Sequence, residues 1–450
     1  MKRILFGGVW LFTIFFASAQ VTQINNNKSL QALAPLNNVK TLFASGVDNN
    51  LWVSEGSLET TVEISNAIKY HGDGMLLGNR FVFSGSTQGT GVELFITDGT
   101  PSGTQLIRDI YTGSDGSEPA EFALLNGYLY FTAATVAEGR ELWRTNGTSA
   151  GTTLVKDINP GASPSNFKEE YNLFSTGTYL LFSAQGSEEG IELWKSDGTA
   201  EGTSVLKAIN PGAGSSTPAN FCQLDEAITI FTATNSSTGT EFYRTDGTHS
   251  GTFLLKDINP GTGSATQFEF WPGWGYPVFL GFNAFNNKLF FAATNGTNAA
   301  VLYSTDGSTA KTEALKVLIT EPDPFFQPFV FIPDAISLNN KFYFPLTDGG
   351  GSAAIWQTDG TPAGTTIFKS YFEAYPWSII SPFLFINYYA TGFDPNSSLF
   401  QGNKFFFSAS TNTNGNELYL TDGTDAGTSI VKDINRGTGN GIEMVSYLFT

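Results

Sequence analysis

Gly139-Arg140-Glu141-Leu142-Trp143-Arg144-Thr145-Asn146-Gly147-Thr148-Ser149-Ala150-Gly151-Thr152, followed by Thr153-Leu154-Val155-Lys156-Asp157-Ile158-Asn159-Pro160-Gly161, is a phrase that the chain writes again and again. Aligned on the residue before the Gly-Thr turn, it recurs at Asp98, Asn146, Asp197, Asp246, Asp306, Asp359 and Asp422, with a degenerate first copy at Glu55. Successive anchors lie 43 to 63 residues apart. A period of that size marks propellers, solenoids and arrays rather than unrelated domains.

Each repeat carries four short segments suited to strands. In the copy quoted they are Glu121–Leu125, Tyr128–Ala133, Glu141–Thr145 and Thr153–Ile158, rich in β-branched and aromatic residues and bounded by Gly, Asn, Asp and Pro. Asn126-Gly127 predicts a two-residue hairpin, since both central positions of a type I′ turn need positive φ. The Asp-Gly-Thr-x-x-Gly-Thr stretch predicts a longer hairpin loop, its carboxylate accepting backbone N–H groups. Asn159-Pro160-Gly161, Asn210-Pro211-Gly212 and Asn259-Pro260-Gly261 close their repeats with a proline that cannot continue a ladder. The unit is therefore an antiparallel four-stranded meander. A lone sheet leaves edges and apolar faces uncovered, and radial stacking covers both. The expected fold is all-β, a β-propeller of about eight four-stranded blades, with an open array of β units as the alternative.

Trp52, Phe95, Trp143, Trp194, Tyr243, Tyr303, Trp356 and Tyr419 hold one place in eight copies, which predicts rings packed between neighbouring sheets rather than a ligand site. The segment Glu443–Phe449 matches the first strand of a further repeat, and is expected to join the first blade as a clasp or else to lead into a longer array.

Met1–Ala19 has the form of a secretory signal peptide: Lys2 and Arg3, an apolar run from Ile4 to Phe16, then Ala17-Ser18-Ala19. Residues 20–450 then form one repeat domain. Elsewhere no apolar run is long enough for a spanning helix, so a secreted or cell-surface location without membrane insertion is expected. The chain has 23 basic and 41 acidic residues, a net charge of −18 that becomes −20 once Lys2 and Arg3 leave with the signal. Such a field repels phosphate backbones and argues against nucleic acid. Cys222 is the only cysteine, so no intrachain disulfide is possible and it is expected as a small buried hydrophobe; a monomer is the default expectation.

The words Glu141-Leu142-Trp143-Arg144-Thr145-Asn146-Gly147-Thr148 and Glu192-Leu193-Trp194-Lys195-Ser196-Asp197-Gly198-Thr199 resemble the ELWxxDGT repeat of exported and surface proteins of certain Gram-negative bacteria. The resemblance covers nearly all of residues 40 to 440. It implies a repeat architecture and an exported location, and it assigns no reaction and no catalytic residue.

Chemistry is sparse. His71 and His249 are the only histidines, which removes most triad and zinc-site readings. Glu93, Glu141, Glu192, Glu241 and Glu417 recur as Gly-x-Glu, and Asp109, Asp157, Asp257 and Asp433 recur after a basic residue. A carboxylate repeated by the fold is expected to make one hydrogen bond or ion pair in every blade. Asp-Gly-Thr loops offer oxygens of the kind calcium takes, but one acid each. Turn capping without a cofactor is the expectation, and calcium the alternative.

Three aromatic, proline-containing insertions break the repeat, at Phe268–Pro277, Pro322–Phe329 and Tyr371–Trp377. Exposed rings beside acids and amides suit sugars, so Trp271, Trp274, Tyr276, Tyr375 and Trp377 are the candidate ligand-binding residues. The function expected is a binding scaffold for a glycan or another surface protein, engaged by loops on one face. The alternative is a carbohydrate-active enzyme, a glycoside hydrolase or lyase, with an acid pair drawn from Asp323, Asp334 and Glu373. A purely structural repeat is a third reading.

Overall fold

The computed structural model describes residues 30–37, 39–46, 48–57, 59–161, 165, 173–187, 189–212, 214–271, 274–277, 281–320, 329–330, 332, 335–347, 352–372, 404–411 and 415–432. Among them all regular structure is β apart from one 3-10 turn at Thr309–Lys311. No helix among the described residues is long and apolar enough to cross a membrane.

The chain falls into two compact bodies. One comprises the residues up to Glu226 with Phe231–Asn235 and Thr245–Thr252; the other comprises Ala227–Ile230, Ser236–Arg244 and the chain from Phe253 onward. In the first body the third repeat forms the expected meander from Ala120–Leu125, Tyr128–Thr135, Gly139–Thr145 and Thr153–Lys156. Its Asn126 and Gly127 have φ of 50° and 80°, the conformation that the turn required. The fourth repeat repeats this order with Phe174–Ser175, Leu180–Gln185, Ile191–Ser196 and Ser204–Lys207. The strands of the fifth, Ala219–Gln223, Thr229–Asn235, Gly239–Thr245 and Phe253–Lys256, are divided between the bodies. In the second body the sixth repeat uses Asn283–Phe285, Lys288–Ala293, Ala300–Thr305 and Glu313–Ile319, and the seventh uses Ile336–Leu338, Lys341–Thr347, Ser352–Thr358 and Thr366–Phe372. Three strands of the eighth are described, Phe405–Thr411, Gly415–Thr421 and Ser429–Lys432.

The first two repeats depart from the pattern. They share one sheet of seven strands, joined by the 16-residue strand Val62–Leu77, which is the last strand of one repeat and the first of the next. No Asn-Pro-Gly stop stands between them, and the ladder runs on through both. It bends where the register slips between Tyr70 and Gly74.

A second device recurs without a sequence signal. The register slips just before the repeated aromatic, at Leu94/Phe95, Leu142/Trp143, Leu193/Trp194, Phe242/Tyr243, Leu302/Tyr303, Ile355/Trp356 and Leu418/Tyr419. In the third repeat Leu142 faces Lys156 while Trp143 faces Leu154, so Val155 is the extra residue, and it is buried. Each bulge sharpens the twist of an outer strand only four to seven residues long.

The core lies between sheets. Ile107 and Ile110 of the second repeat share a buried cluster with Phe131 and Trp143 of the third, and Val155 and Ile158 of the third share one with Phe182 and Trp194 of the fourth. In the second body Leu315 and Ile319 of the sixth repeat meet Phe344 and Trp356 of the seventh. Seven of the eight repeated rings are therefore core, as their periodicity implied, and Trp143 keeps 6% of its surface; Trp52 of the first repeat is half-buried.

Candidate functional site

The most elaborate polar arrangement is a buried glutamate that recurs in the second to fifth repeats. Glu93, Glu141, Glu192 and Glu241 lie two residues before the repeated ring on third strands and are at most 1% exposed. Each accepts two backbone N–H groups from the turn after the fourth strand. The pairs are Ile110 and Tyr111 to Glu93 (2.8 and 3.0 Å), Ile158 and Asn159 to Glu141 (2.8 and 3.4 Å), Ile209 and Asn210 to Glu192 (2.7 and 3.1 Å), and Ile258 and Asn259 to Glu241 (3.0 and 2.9 Å). A serine 24 residues on adds a hydroxyl: Ser117 donates to Glu93 at 2.6 Å, and Ser216 donates to Glu192. The carboxylate thus ties the exit turn of one repeat, and the lead into the next, to its own third strand.

At the matching place in the fifth repeat stands Ala265, fully buried, and Glu241 lacks the hydroxyl. Burial pushes these carboxyls above the usual range, Glu141 to about 8 and Glu241 to about 7, while the backbone donors pull the other way. Glu93 and Glu192 are raised for the same reason.

The Asp-Gly-Thr loops are capped from within. Oδ1 of Asp98 accepts the backbone N–H and the hydroxyl of Thr100 at 2.9 and 2.7 Å, and Asp197, Asp246, Asp359 and Asp422 do the same with Thr199, Thr248, Thr361 and Thr424. The threonine hydroxyl, then its N–H, holds Asp197, Asp359 and Asp422 below the usual carboxylate range. A Cβ on Gly151 would lie 2.0 Å from Asn146 Oδ1, which is why the loop needs glycine there.

The same loops are docking points for the preceding repeat. Arg144 lies 5.1 Å from the Tyr128 ring and donates to the Gly198 carbonyl at 3.1 Å; Lys195 lies 4.3 Å from the Tyr179 ring and donates to Gly247 at 2.8 Å. Arg244 reaches Gly307 at 3.2 Å. A second set comes from fourth strands: Lys156 Nζ to the Thr203 carbonyl at 2.6 Å and Lys256 Nζ to that of Thr312 at 2.8 Å. The recurring glutamates thus make the common hydrogen bond that their repetition implied. The aspartates differ: Asp109, Asp157 and Asp257 each bury one oxygen without a partner.

Trp271 and Trp274 face each other in a two-stranded hairpin, Gln267–Trp271 with Trp274–Pro277, in which Tyr276 pairs with Phe268. This insertion is thus a ribbon rather than an open loop. Tyr375 and Trp377, the acids Asp323, Asp334 and Glu373, and the segment proposed as a clasp all lie outside the described residues. His71 is exposed on the bulge of the long strand, its Nε2 2.8 Å from Ser86 Oγ, and His249 is exposed on its loop. Cys222 is half-buried rather than a core residue. Among the described residues no group of three or more His, Cys, Asp or Glu is placed to hold a metal ion.

No protein-family model matches the chain, and no curated protein matches it at a significant level. Solved structures do. A prolyl endopeptidase aligns over 88% of this chain and 54% of its own at 8% identity, with a TM-score of 0.40. Oligopeptidase B from Leishmania major aligns over 92% and 50% at 12% identity, with a TM-score of 0.41. A dihydro-heme d1 dehydrogenase aligns over 77% and 66% at 12% identity, with a TM-score of 0.43. The chain spans about half the length of the two peptidases.

The expectation of a glycan-binding or surface-protein-binding scaffold, with a carbohydrate-active enzyme as its alternative, is not what these comparisons return: the structures they return are described as peptidases and a dehydrogenase. The recurring Glu carboxylates are engaged in the frame, and the first aromatic insertion is folded into paired strands.

Proposed function

We propose that this chain is a non-catalytic structural module, a β-propeller of about eight blades whose polar residues hold its own frame. One observation carries the reading: the carboxylates that recur at buried positions are engaged by two to four hydrogen bonds from their own repeat, as at Glu93, which leaves them no free edge for a substrate. Sheet-to-sheet clusters that repeat from one pair of neighbours to the next support propeller-type stacking within each body. The resemblance to ELWxxDGT repeats and the signal-like Met1–Ala19 support an exported module. Such a frame positions other parts of a larger protein or assembly and performs no reaction itself.

The test uses the purified chain with fluorogenic peptides, proline-directed and dibasic sequences included, and a serine-reactive fluorophosphonate. The expected result is neither turnover nor labelling. Hydrolysis proportional to chain concentration, or labelling that Ser86→Ala or His71→Ala removes, overturns the proposal.

A further inference from the structure

The first repeat breaks the glutamate pattern in an informative way. Asn50-Leu51-Trp52 stands where the third repeat has Glu141-Leu142-Trp143, so a carboxamide occupies the buried carboxylate position, and Asn50 keeps 5% of its surface. Glu141 is met by backbone N–H groups 17 and 18 residues on; Asn50 is met instead by a lysine side chain 19 residues on. Asn50 and Lys69 are directly opposed across the pair formed by Asn50–Ser54 and Val62–Leu77, and Lys69 Nζ is in close contact with Asn50 Oδ1. On the other side of the amide, Asn50 Nδ2 donates to Glu63 Oε1 at 2.8 Å.

An amine, a carboxamide and a carboxylate are thus arranged in line. The amine lies at the carbonyl, and the acid lies at the nitrogen that would leave. We propose that Asn50 and Lys69 are joined by an intramolecular isopeptide bond that the chain forms on itself, with Glu63 as the acid–base residue. The Lys69 ammonium first loses a proton to water, and Glu63, which is exposed to solvent, takes one up. The free amine attacks Asn50 Cγ, forming the Nζ–Cγ bond. Glu63 then returns the proton to Nδ2 as the Cγ–Nδ2 bond breaks. The lysine nitrogen sheds its remaining extra proton to the departing ammonia, so one ammonium leaves per bond formed and nothing is oxidised or reduced. Burial of Asn50 keeps bulk water from competing at Cγ, and the opposed strands hold amine and carbonyl together as one reactant. No other repeat can do this, because each described counterpart of Asn50 is a glutamate, as at Glu93, Glu141, Glu192, Glu241 and Glu417, or an apolar residue, Val301 in the sixth repeat and Ala354 in the seventh.

The experiment is peptide mapping of the full chain after trypsin digestion, with tandem mass spectrometry. The expected product is a branched peptide linking the Asn50 and Lys69 segments, lighter by one ammonia than the two together, with no cleavage after Lys69. Cyclisation of an N-terminal glutamine also removes ammonia, so the branched peptide decides rather than the intact mass. Glu63→Gln and Lys69→Arg are expected to give separate linear peptides while circular dichroism stays unchanged. Linear peptides from the parent chain overturn the proposal, and so does a branched peptide that survives Glu63→Gln.

Discussion

Replacing Ala265 by Ser tests how the repeated glutamate is held. In the fourth repeat the Ser216 N–H bonds the Ile191 carbonyl at 2.8 Å, and in the fifth the Ala265 N–H bonds the Thr240 carbonyl at 2.9 Å, so the two backbones run alike. A serine hydroxyl at 265 falls on Glu241 as that of Ser216 falls on Glu192. A hydrogen bond to a charged acceptor contributes about 1.5 to 3 kcal/mol, and burying the hydroxyl leaves a net gain of about 1 to 2 kcal/mol. In a chain of this size that raises Tm by roughly 1 to 2 °C.

The pH dependence gives the test its edge. Glu241 is raised from 4.5 to about 7 in the fold, so between those values the folded state holds a proton that the unfolded state has released. Its contribution to stability is therefore present below about 4.5, declines as pH rises through about 7, and is level above. A new donor favours the anion and opposes that decline. Calorimetry at pH 5.5 and pH 8.5 should show the Ala265→Ser gain mainly at the higher pH, and Glu241→Gln should abolish the difference. A Tm that fails to rise at pH 8.5, or that rises equally at both, refutes the reasoning.

Trp143→Ala should cost about 3 to 5 kcal/mol, read by denaturant unfolding, because the ring fills a buried cluster between two sheets. Gly151→Ala should destabilise by more than about 1 kcal/mol, since its Cβ meets Asn146 Oδ1, whereas the exposed neighbour Ala150→Ser should change melting little. A chelator should leave the melting curve unchanged, because the loop carboxylates are already capped by threonine; a drop in Tm restored by added calcium would contradict this.

The strands were legible because turn chemistry and β-rich segments agree residue by residue, as Asn126-Gly127 shows. The repeated rings could be read as core because one ligand has no use for eight equivalent aromatics. The bulge before Trp143 left no trace, since it depends on which residue of the neighbouring strand is skipped. The partners of Glu141 were hidden for a related reason: they are backbone amides, which any residue supplies. Ser117, Ser165 and Ser216, each 24 positions after its glutamate, wrote part of that site into the side chains. The fused strand Val62–Leu77 was marked only by a missing Asn-Pro-Gly. That the aromatic insertion at Trp271 pairs as a hairpin was not legible, because composition does not distinguish an open loop from paired strands.

The links from Arg144 to Gly198 and from Lys195 to Gly247 all point one way along the chain: the donor precedes its acceptor by 54 and 52 residues. A loop is therefore finished by a residue that has already been made. During synthesis each new repeat meets a completed surface waiting for it, and a repeat cut off from its predecessor lacks the cation that closes its turn.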